Sequence, residues 1–283
     1  MVVDEKMIIT AATETTQIAD FVARRQFAPM YIWLDIAFLL AFAGLLLWRR
    51  KTMTVLVGLA AGVLYFVVDY GIFNLALHTR SIEGGSMFWV LLWMSMSYGF
   101  TNFAWIWLWI SKDSRLFEWS LLILGWWFCA PSIAQTLVAR FAPDQASYPI
   151  TIQRTTGAYH GWMAVILLVG YLALIVWNLA HDGPEQRTHR VNIPWLLAIG
   201  VLVQFGWELG LLIGGIRSAG LGLQETLKPL VINSLLETNL GMPYVYLIFI
   251  AVTARYTETL AKRAQPLTLL ERLAENNAER VTH

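Results

Sequence analysis

The sequence predicts an all-α, polytopic membrane protein with a bundle of seven transmembrane helices, and composition is the first reason. Of the 283 residues, 57% are hydrophobic and only 14% are charged, whereas soluble domains carry about 25% charged and about 45–50% apolar residues. The mean hydropathy is +0.56. Seven stretches also reach the length of about 20 residues that a helix needs to cross a bilayer. Together these observations exclude a soluble enzyme, a nucleic-acid-binding protein and a disordered scaffold.

The predicted spans are separated by short polar loops. They lie at 30–48, 53–78, 87–110, 116–138, 158–179, 192–216 and 228–254. The N-terminal segment, 1–28, is charged and lacks the compact apolar core of a signal peptide, so we expect an interfacial helix there. The seven-helix domain then covers 29–256. The charged tail, 257–283, is predicted to form an amphipathic helix on the membrane surface.

The distribution of basic residues predicts the orientation of the chain. With alternating spans, twelve of the 20 Lys and Arg residues fall on one side and eight on the other. Because cytoplasmic loops carry the excess of positive charge, we expect the N-terminus outside and the C-terminus in the cytoplasm. The eight residues assigned to the outer side are Lys6, Arg24, Arg25, Arg80, Arg140, Arg154, Arg217 and Lys228.

Three carboxylates are predicted to share one depth in the membrane. Asp69, Glu208 and Glu237 each lie roughly 12–14 Å below the outer end of the second, sixth and seventh span, at about 1.5 Å per residue. Asp35 and His160 lie nearer the same surface. Ionisable groups inside a bilayer are costly, so we expect a functional cavity in the outer half, with a structural polar network as the alternative. Desolvation favours a neutral carboxyl group, which would act as a proton donor.

Aromatic and polar side chains near this depth are the predicted cavity lining. The aromatic members are Tyr70, Phe73, Tyr98, Trp126, Trp127, Trp162 and Trp207, and the polar members are Asn102, His160, Asn233 and Asn239. Ordinary packing or interhelical hydrogen bonding would also explain many of them. As a cavity lining, however, their π faces would stabilise a cationic intermediate.

Several other functions are disfavoured because the sequence lacks the residues that they require. The five lysines all lie at span boundaries or in the end segments, which excludes a buried retinal Schiff base. The sequence contains no HExxH, Walker or serine nucleophile-elbow motif. One cysteine, Cys129, cannot form an internal disulfide or a cysteine-rich cluster. A single deep histidine, His160, is a weak metal signal, so we predict no metal site.

Seven spans with an acidic residue deep in the second and another in the seventh resemble the small integral-membrane terpene cyclases. This family includes fungal meroterpenoid cyclases, paxilline-type indole-diterpene cyclases and bacterial relatives. The resemblance covers residues 30–255, with Asp69 and Glu237 at the positions of the family's acidic pair and 237–243 (ETNLGMP) as the most similar block. The family's second-span acid is usually a glutamate after tryptophan. Here Val68 precedes Asp69, and the Trp-Glu pair is Trp207-Glu208 in the sixth span.

The resemblance implies a proton-initiated cyclisation of a lipophilic prenylated substrate that enters from the bilayer. Glu237 or Asp69 would protonate an epoxide or alkene, ring closures would follow, and a second carboxylate or Tyr70 would accept the final proton. The resemblance implies no metal and no organic cofactor. The alternatives are a small proton-coupled transporter and a ligand-sensing seven-helix protein. The sequence leaves open the substrate, the ring pattern and the oligomeric state.

Overall fold

The computed structural model describes residues 21–144, 148–155, 159–181, 183, 190–217 and 222–262. Its helices are α1 (Pro29–Trp48), α2 (Thr52–Phe66), α3 (Met87–Ile110), α4 (Leu116–Phe141), α5 (Tyr159–Ala180), α6 (Ile193–Ile213) and α7 (Leu223–Lys262). A π-helical segment, Val67–Ala76, follows α2 directly. The strands are β1 (Phe21–Phe27), β2 (Arg80–Glu83) and β3 (Ile150–Thr155). The described residues are mostly helical, as the all-α prediction requires.

Local sequence signals explain where two of the helices begin. Pro29 and Pro194 lie in the first turns of α1 and α6, where a missing backbone N–H costs nothing and the fixed φ angle favours a helix. Before α6, the Asn192 side chain accepts a hydrogen bond from the backbone N–H of Trp195 at 3.1 Å. This is an N-cap, which pairs one of the four free N–H groups at the helix start.

Six helical segments are long and apolar enough to cross a membrane. They are Pro29–Trp48, Thr52–Ala76, Leu116–Phe141, Gly161–Ala180, Ile193–Ile213 and Leu230–Arg255. Each coincides with a predicted span to within a few residues at most ends. Long apolar side chains on these helices, such as Leu40, Leu64 and Val176, are more than 60% exposed, which fits a surface that faces lipid. The chain is therefore an integral, multi-pass membrane protein.

The helix α3 is as long as the others but less apolar, and its position explains why. Its 24 residues would extend about 36 Å at 1.5 Å per residue. Several tryptophans and polar residues lower its hydropathy. Every residue from Ser97 to Leu108 is buried against other parts of the protein. Because this stretch meets protein instead of lipid, it can carry polar groups, and the count of seven spans stays a prediction.

A three-stranded antiparallel sheet forms where the sequence predicted only loops and an interfacial helix. Its strand order is β1-β3-β2. Outside the named strands, Arg25 of β1 also pairs with Arg217, and the N–H of Gln26 donates to the carbonyl oxygen of Ile216 at 2.8 Å. The prediction of a helix over 1–28 is thus wrong for Phe21–Phe27, because these residues pair with β3. Residues 1–20 lie outside the described part.

The chain divides into two compact units, Met1–Pro243 and Tyr244–His283. The first contains the sheet, α1 to α6 and the start of α7. In the second, the described residues are helical to Lys262, and the ring of Tyr246 lies 6.0 Å from that of Phe249. Most of the predicted amphipathic tail lies outside the described residues.

The loop between α3 and α4 holds a covered ion pair. Lys51 donates to Asp113, whose side chain is only 2% exposed, while that of Lys51 is 37% exposed. The Asp113 carboxylate also accepts from the backbone N–H of Arg115 at 2.9 Å and from the indole of Trp119 at 3.2 Å. Desolvation acts to raise the pKa of Asp113, but these hydrogen bonds and the Lys51 charge together lower it below its ordinary value.

We expect Asp113→Asn to lower the free energy of unfolding by about 1 kcal/mol at neutral pH. Because the folded pKa of Asp113 is depressed, its contribution is present above the ordinary aspartate value of about 4 and is lost as the pH falls through the folded pKa. The variant and the parent should therefore converge in acid. Unfolding in mixed micelles at a series of pH values measures this, with the exposed Asp144→Asn as the matched control. A difference that persists undiminished in acid would contradict the assignment.

Candidate functional site

The sheet brings together four arginines that are far apart in sequence. Arg80 of β2 lies opposite Arg154 of β3, and Arg25 of β1 lies opposite Arg217. Arg25, Arg80 and Arg217 are at most 6% exposed, and the Arg154 side chain is 18% exposed. We call these four residues the arginine cluster. Buried guanidinium groups need anionic or hydrogen-bonding partners, and the deep carboxylates provide them.

Glu208 of α6 is the most extensively bonded carboxylate. Arg217 donates to its Oε2 atom in a close ion pair, and the Nη2 atom of Arg25 lies 3.8 Å from its Oε1 atom. The amide of Asn233 on α7 donates to Oε1 at 3.1 Å, and that of Gln204 lies at 3.4 Å. The residue is only 1% exposed. Both oxygens of Glu208 are therefore occupied by strong donors.

Asp69 lies near the start of the π-helical segment. Its Oδ1 atom accepts from the Nε atom of Arg80 at 2.6 Å and lies 3.9 Å from the Nη2 atom of Arg154. The guanidinium of Arg80 also lies over the ring of Phe73, 4.4 Å from its centre. Wide helical turns of this kind occur preferentially at functional sites. Phe73, predicted as a cavity residue, thus supports an arginine that binds Asp69.

Glu237 of α7 differs from the other two carboxylates. Its Oε2 atom accepts from the amide of Gln204 at 2.8 Å. The side-chain oxygen of Gln204 in turn accepts from the hydroxyls of Tyr98 at 2.7 Å and Thr238 at 2.5 Å. None of the arginines in the described part forms an ion pair with Glu237, and the residue is half-buried. Gln204 therefore joins Glu237 to Glu208 and to α3.

The arginine cluster corrects one expectation about the carboxylates. The sequence predicted neutral carboxyl groups in an apolar wall. Asp69 and Glu208 instead lie against the guanidinium groups of Arg80 and Arg217. The expectation of apolar surroundings was wrong for these two residues because the arginines that reach them were assigned to loops.

Burial also lowers the pKa of two arginines that lie outside the spans. Burial first, and the nearby charge of Arg217 second, lower the pKa of Arg25 to about 10. Burial and the charge of Arg154 likewise lower the pKa of Arg80 to about 10, although Asp69 opposes the shift. Both arginines still carry a positive charge at neutral pH.

A group of aromatic rings packs beside this network. Tyr98 lies between Tyr65, with ring centres 4.8 Å apart, and Trp207, at 5.6 Å. Trp207 also packs edge-on against Trp127 at 5.3 Å. A small cavity adjoins the rings and the arginine cluster. It is lined by Arg25, Phe27, Tyr31, Trp93, Met94, Ser97, Trp207, Leu211 and Ile216. The predicted residues Tyr98, Trp127 and Trp207 therefore do lie together.

Three of the predicted lining residues lie apart from the network. Tyr70 stacks on Phe66 with ring centres 5.2 Å apart, so its predicted role as a proton acceptor has no contact to support it. Trp162 is 70% exposed, and on α5 it fits a lipid-facing position. Asn239 is buried, and its amide lies 3.3 Å from the hydroxyl of Tyr171 on α5.

Two further predicted residues need a separate account. Asn102 is fully buried on α3, and both polar atoms of its amide lack a hydrogen-bond partner among the described residues. It lies on the same helix as Tyr98, one turn further along. The side chain of His160 falls outside the described residues.

Asp35 occupies a buried site between two indole groups. The indole N–H groups of Trp93 and Trp126 each donate to its carboxylate at 2.9 Å. Asp35 is only 1% exposed. The predicted lining residue Trp126 therefore binds Asp35, and its ring stacks on that of Phe38 with the centres 4.6 Å apart.

The arginine cluster and Gln204 are the parts of the candidate site that the sequence did not single out. Arg80 and Arg154 were counted only as loop charges. A usable signal was the high content of β-branched residues over 150–155, which is typical of a strand and places Arg154 on the same face as Ile150 and Ile152. Among the described residues, no group of three or more His, Cys, Asp or Glu is arranged to hold a metal ion.

Comparisons of the chain with family models, with curated proteins and with solved structures found no match.

Proposed function

We propose that this protein is an integral-membrane cyclase that initiates ring closure by proton transfer from Glu237 to an epoxide or alkene of a lipophilic prenylated substrate. The observation that carries the proposal is the difference between Glu237 and its two acidic neighbours. Asp69 and Glu208 are ion-paired, whereas Glu237 accepts a hydrogen bond from the neutral amide of Gln204. A carboxyl group without a paired cation is the one that can hold and release a proton.

The ionised carboxylates would take the complementary roles. Glu237 transfers a proton to the epoxide oxygen or to the terminal alkene carbon, which leaves a carbocation on the substrate. Successive π bonds attack this cation and become ring σ bonds. A final C–H proton passes to a base, for which Asp69 is the better placed, since Glu208 is already occupied by four donors. The product is an isomer of the substrate.

The rings beside the network support this chemistry. Tyr65, Tyr98 and Trp207 form a continuous contact. The hydroxyl of Tyr98 donates to the side-chain oxygen of Gln204, whose amide nitrogen donates to Glu237. The faces of aromatic rings stabilise cations, most strongly where water is excluded. Buried surroundings also protect a carbocation from capture by water.

The burial of the arginine cluster supports the proposed orientation and the seventh span. Four of the eight basic residues assigned to the outer side belong to this cluster, and three of them are at most 6% exposed. Arginines held in ion pairs within the fold are not free loop charges, so the remaining bias favours a cytoplasmic C-terminus more strongly. Strands β2 and β3 pair although α3 and α4 lie between them in the chain, as expected if both helices cross the membrane. We therefore propose that α3 is the seventh span and that the sheet lies on the outer side.

Product analysis tests the proposal. Membranes that contain the protein are given a panel of prenylated aromatics and their epoxides, and chromatography with mass detection searches for an isomer of unchanged mass. We expect Glu237→Gln to reduce its formation by at least about 100-fold, since a general acid contributes about 10²–10⁴-fold. The exposed Glu83→Gln, on β2, is the matched control and should leave the rate unchanged.

Two results would contradict the proposal. The first is a folded Glu237→Gln protein that forms the isomer at the parental rate. The second is the absence of any isomer across the panel together with Glu237-dependent proton flux in liposomes, which would identify a transporter.

A further inference from the structure

The arginine cluster holds more positive charge than its carboxylates neutralise. Four guanidinium groups lie among three carboxylates, Asp69, Glu208 and Glu237, and only the first two of these form ion pairs with the described arginines. The surplus is one positive charge when all three acids are ionised and two when Glu237 is protonated. Excess charge in a buried site is costly unless an anion accompanies it.

Unused hydrogen-bond donors accompany this charge. The Nη2 atom of Arg80 and the Nε atoms of Arg154 and Arg217 are buried and have no hydrogen-bond partner among the described residues. Arg80 is 6% exposed and Arg217 is 3% exposed. Buried donors without partners are rare in native proteins because each costs about 1–3 kcal/mol. A ligand with several acceptor oxygens would satisfy them.

The small cavity next to the cluster presents an apolar surface. Arg25 lines it, and so does Trp207, whose indole N–H is another buried donor without a partner among the described residues. The remaining lining is mainly aromatic and aliphatic, and Ile216 places the cavity next to Arg217 in the chain. An apolar surface beside a charged cluster suits a molecule with a polar head and an apolar tail.

We infer that the arginine cluster is a binding site for the oxyanion headgroup, a carboxylate or a phosphate, of a lipid-soluble ligand. The inference rests on the proposed function in one respect, since it identifies the headgroup of the substrate. Guanidinium groups suit this role because their fixed donors match the geometry of carboxylate and phosphate oxygens.

A binding measurement tests this inference without turnover. The full-length protein in non-ionic detergent is titrated with a farnesylated hydroxybenzoic acid and with its methyl ester, and the quenching of tryptophan fluorescence gives each Kd. We expect the acid to bind at least about 10-fold more tightly than the ester at neutral pH. This factor corresponds to one charge-assisted hydrogen bond.

A conservative variant locates the site. Arg80→Lys keeps a positive charge for Asp69 but removes the Nη2 donor, so the Kd of the acid should rise about 10-fold while that of the ester stays unchanged. Arg24→Lys is the matched control, because Arg24 precedes Arg25 on β1 and is exposed. If Arg80→Lys does not fold, the Kd values of the acid and the ester for the parent protein still show whether the site binds an oxyanion.

A second pair of probes identifies the source of the oxyanion. Short-chain phosphatidic acid is compared with the matching diacylglycerol. Phosphatidic acid that binds more tightly than the prenylated acid assigns the site to a lipid headgroup, and the reverse order assigns it to a substrate carboxylate. Equal Kd values within both pairs would overturn the inference, as would a folded Arg80→Lys protein with unchanged affinity for the acid. Tight binding of an acid that is never isomerised would refute only the proposed cyclase.

Discussion

Replacing Arg217 with glutamine is expected to lower the free energy of unfolding by about 3–5 kcal/mol. Arg217 forms the closest ion pair of Glu208, and both side chains are at most 3% exposed. The variant leaves a buried carboxylate with Arg25 at 3.8 Å as its remaining ionic partner. Much of the loss comes from the uncompensated charge, since the desolvation of Glu208 is no longer offset. Unfolding in mixed micelles at neutral pH measures the effect.

The same reasoning predicts a rescue. In the double variant Arg217→Gln with Glu208→Gln, the buried carboxylate is removed together with its closest partner, so part of the stability lost in the single variant should return. The recovery is incomplete because buried Arg25 loses its ion pair with Glu208. Arg140→Gln is the matched control: Arg140 is exposed at the end of α4, and its removal should change the free energy by less than about 0.5 kcal/mol. If the double variant is as unstable as Arg217→Gln alone, the uncompensated charge of Glu208 is not the main source of the loss.

The helices could be predicted from the sequence because lipid requires long apolar runs. The third predicted span, 87–110, has the same bounds as α3. The last one differs most, since α7 extends from Leu223 to Lys262. Polar residues flank the apolar run of α7. The ends of an apolar run indicate where the lipid ends, but a helix can continue beyond them into water, so the run does not predict the ends of the helix.

The sheet could not be predicted in the same way. Its strands have seven, four and six residues and belong to three segments that are distant in sequence. Pairing such as that of Arg80 with Arg154 depends on long-range contacts that leave little local pattern. An arginine after a span end also has the same sequence context whether it faces water or folds back into the protein.

The acids show what depth alone can and cannot predict. Glu208 and Glu237 were expected at one level, and they do share the amide of Gln204. Depth along separate helices says nothing about rotation around each helix axis, which decides partners. Asp69 therefore meets Arg80 and Arg154, while Asp35 meets two indoles.

The second large effect is expected where α2 and α3 cross. A Cβ atom added to Gly99 would lie 2.6 Å from the Cα atom of Gly62 and 2.8 Å from its nitrogen. Backbone atoms cannot move aside as a side chain can, so Gly99→Ala must separate the helices. We expect a loss of about 3 kcal/mol in the free energy of unfolding, at the upper end of the usual cost of overpacking. Close approach through small residues is a common way to pack helices in membranes.

Two other glycines turn this prediction into a graded test. Gly125, within α4, has no atom within 4 Å of an added Cβ, so Gly125→Ala should be neutral or stabilising by about 0.5–1 kcal/mol, the helix preference of alanine over glycine. At Gly62 the nearest atom is the Sδ of Met96, at 2.8 Å. Methionine is flexible enough to shift, so Gly62→Ala should cost less than Gly99→Ala. The expected order of stability is thus Gly125→Ala, Gly62→Ala, then Gly99→Ala. Equal stability of the first and last would show that the α2–α3 crossing is looser than the backbone contact requires.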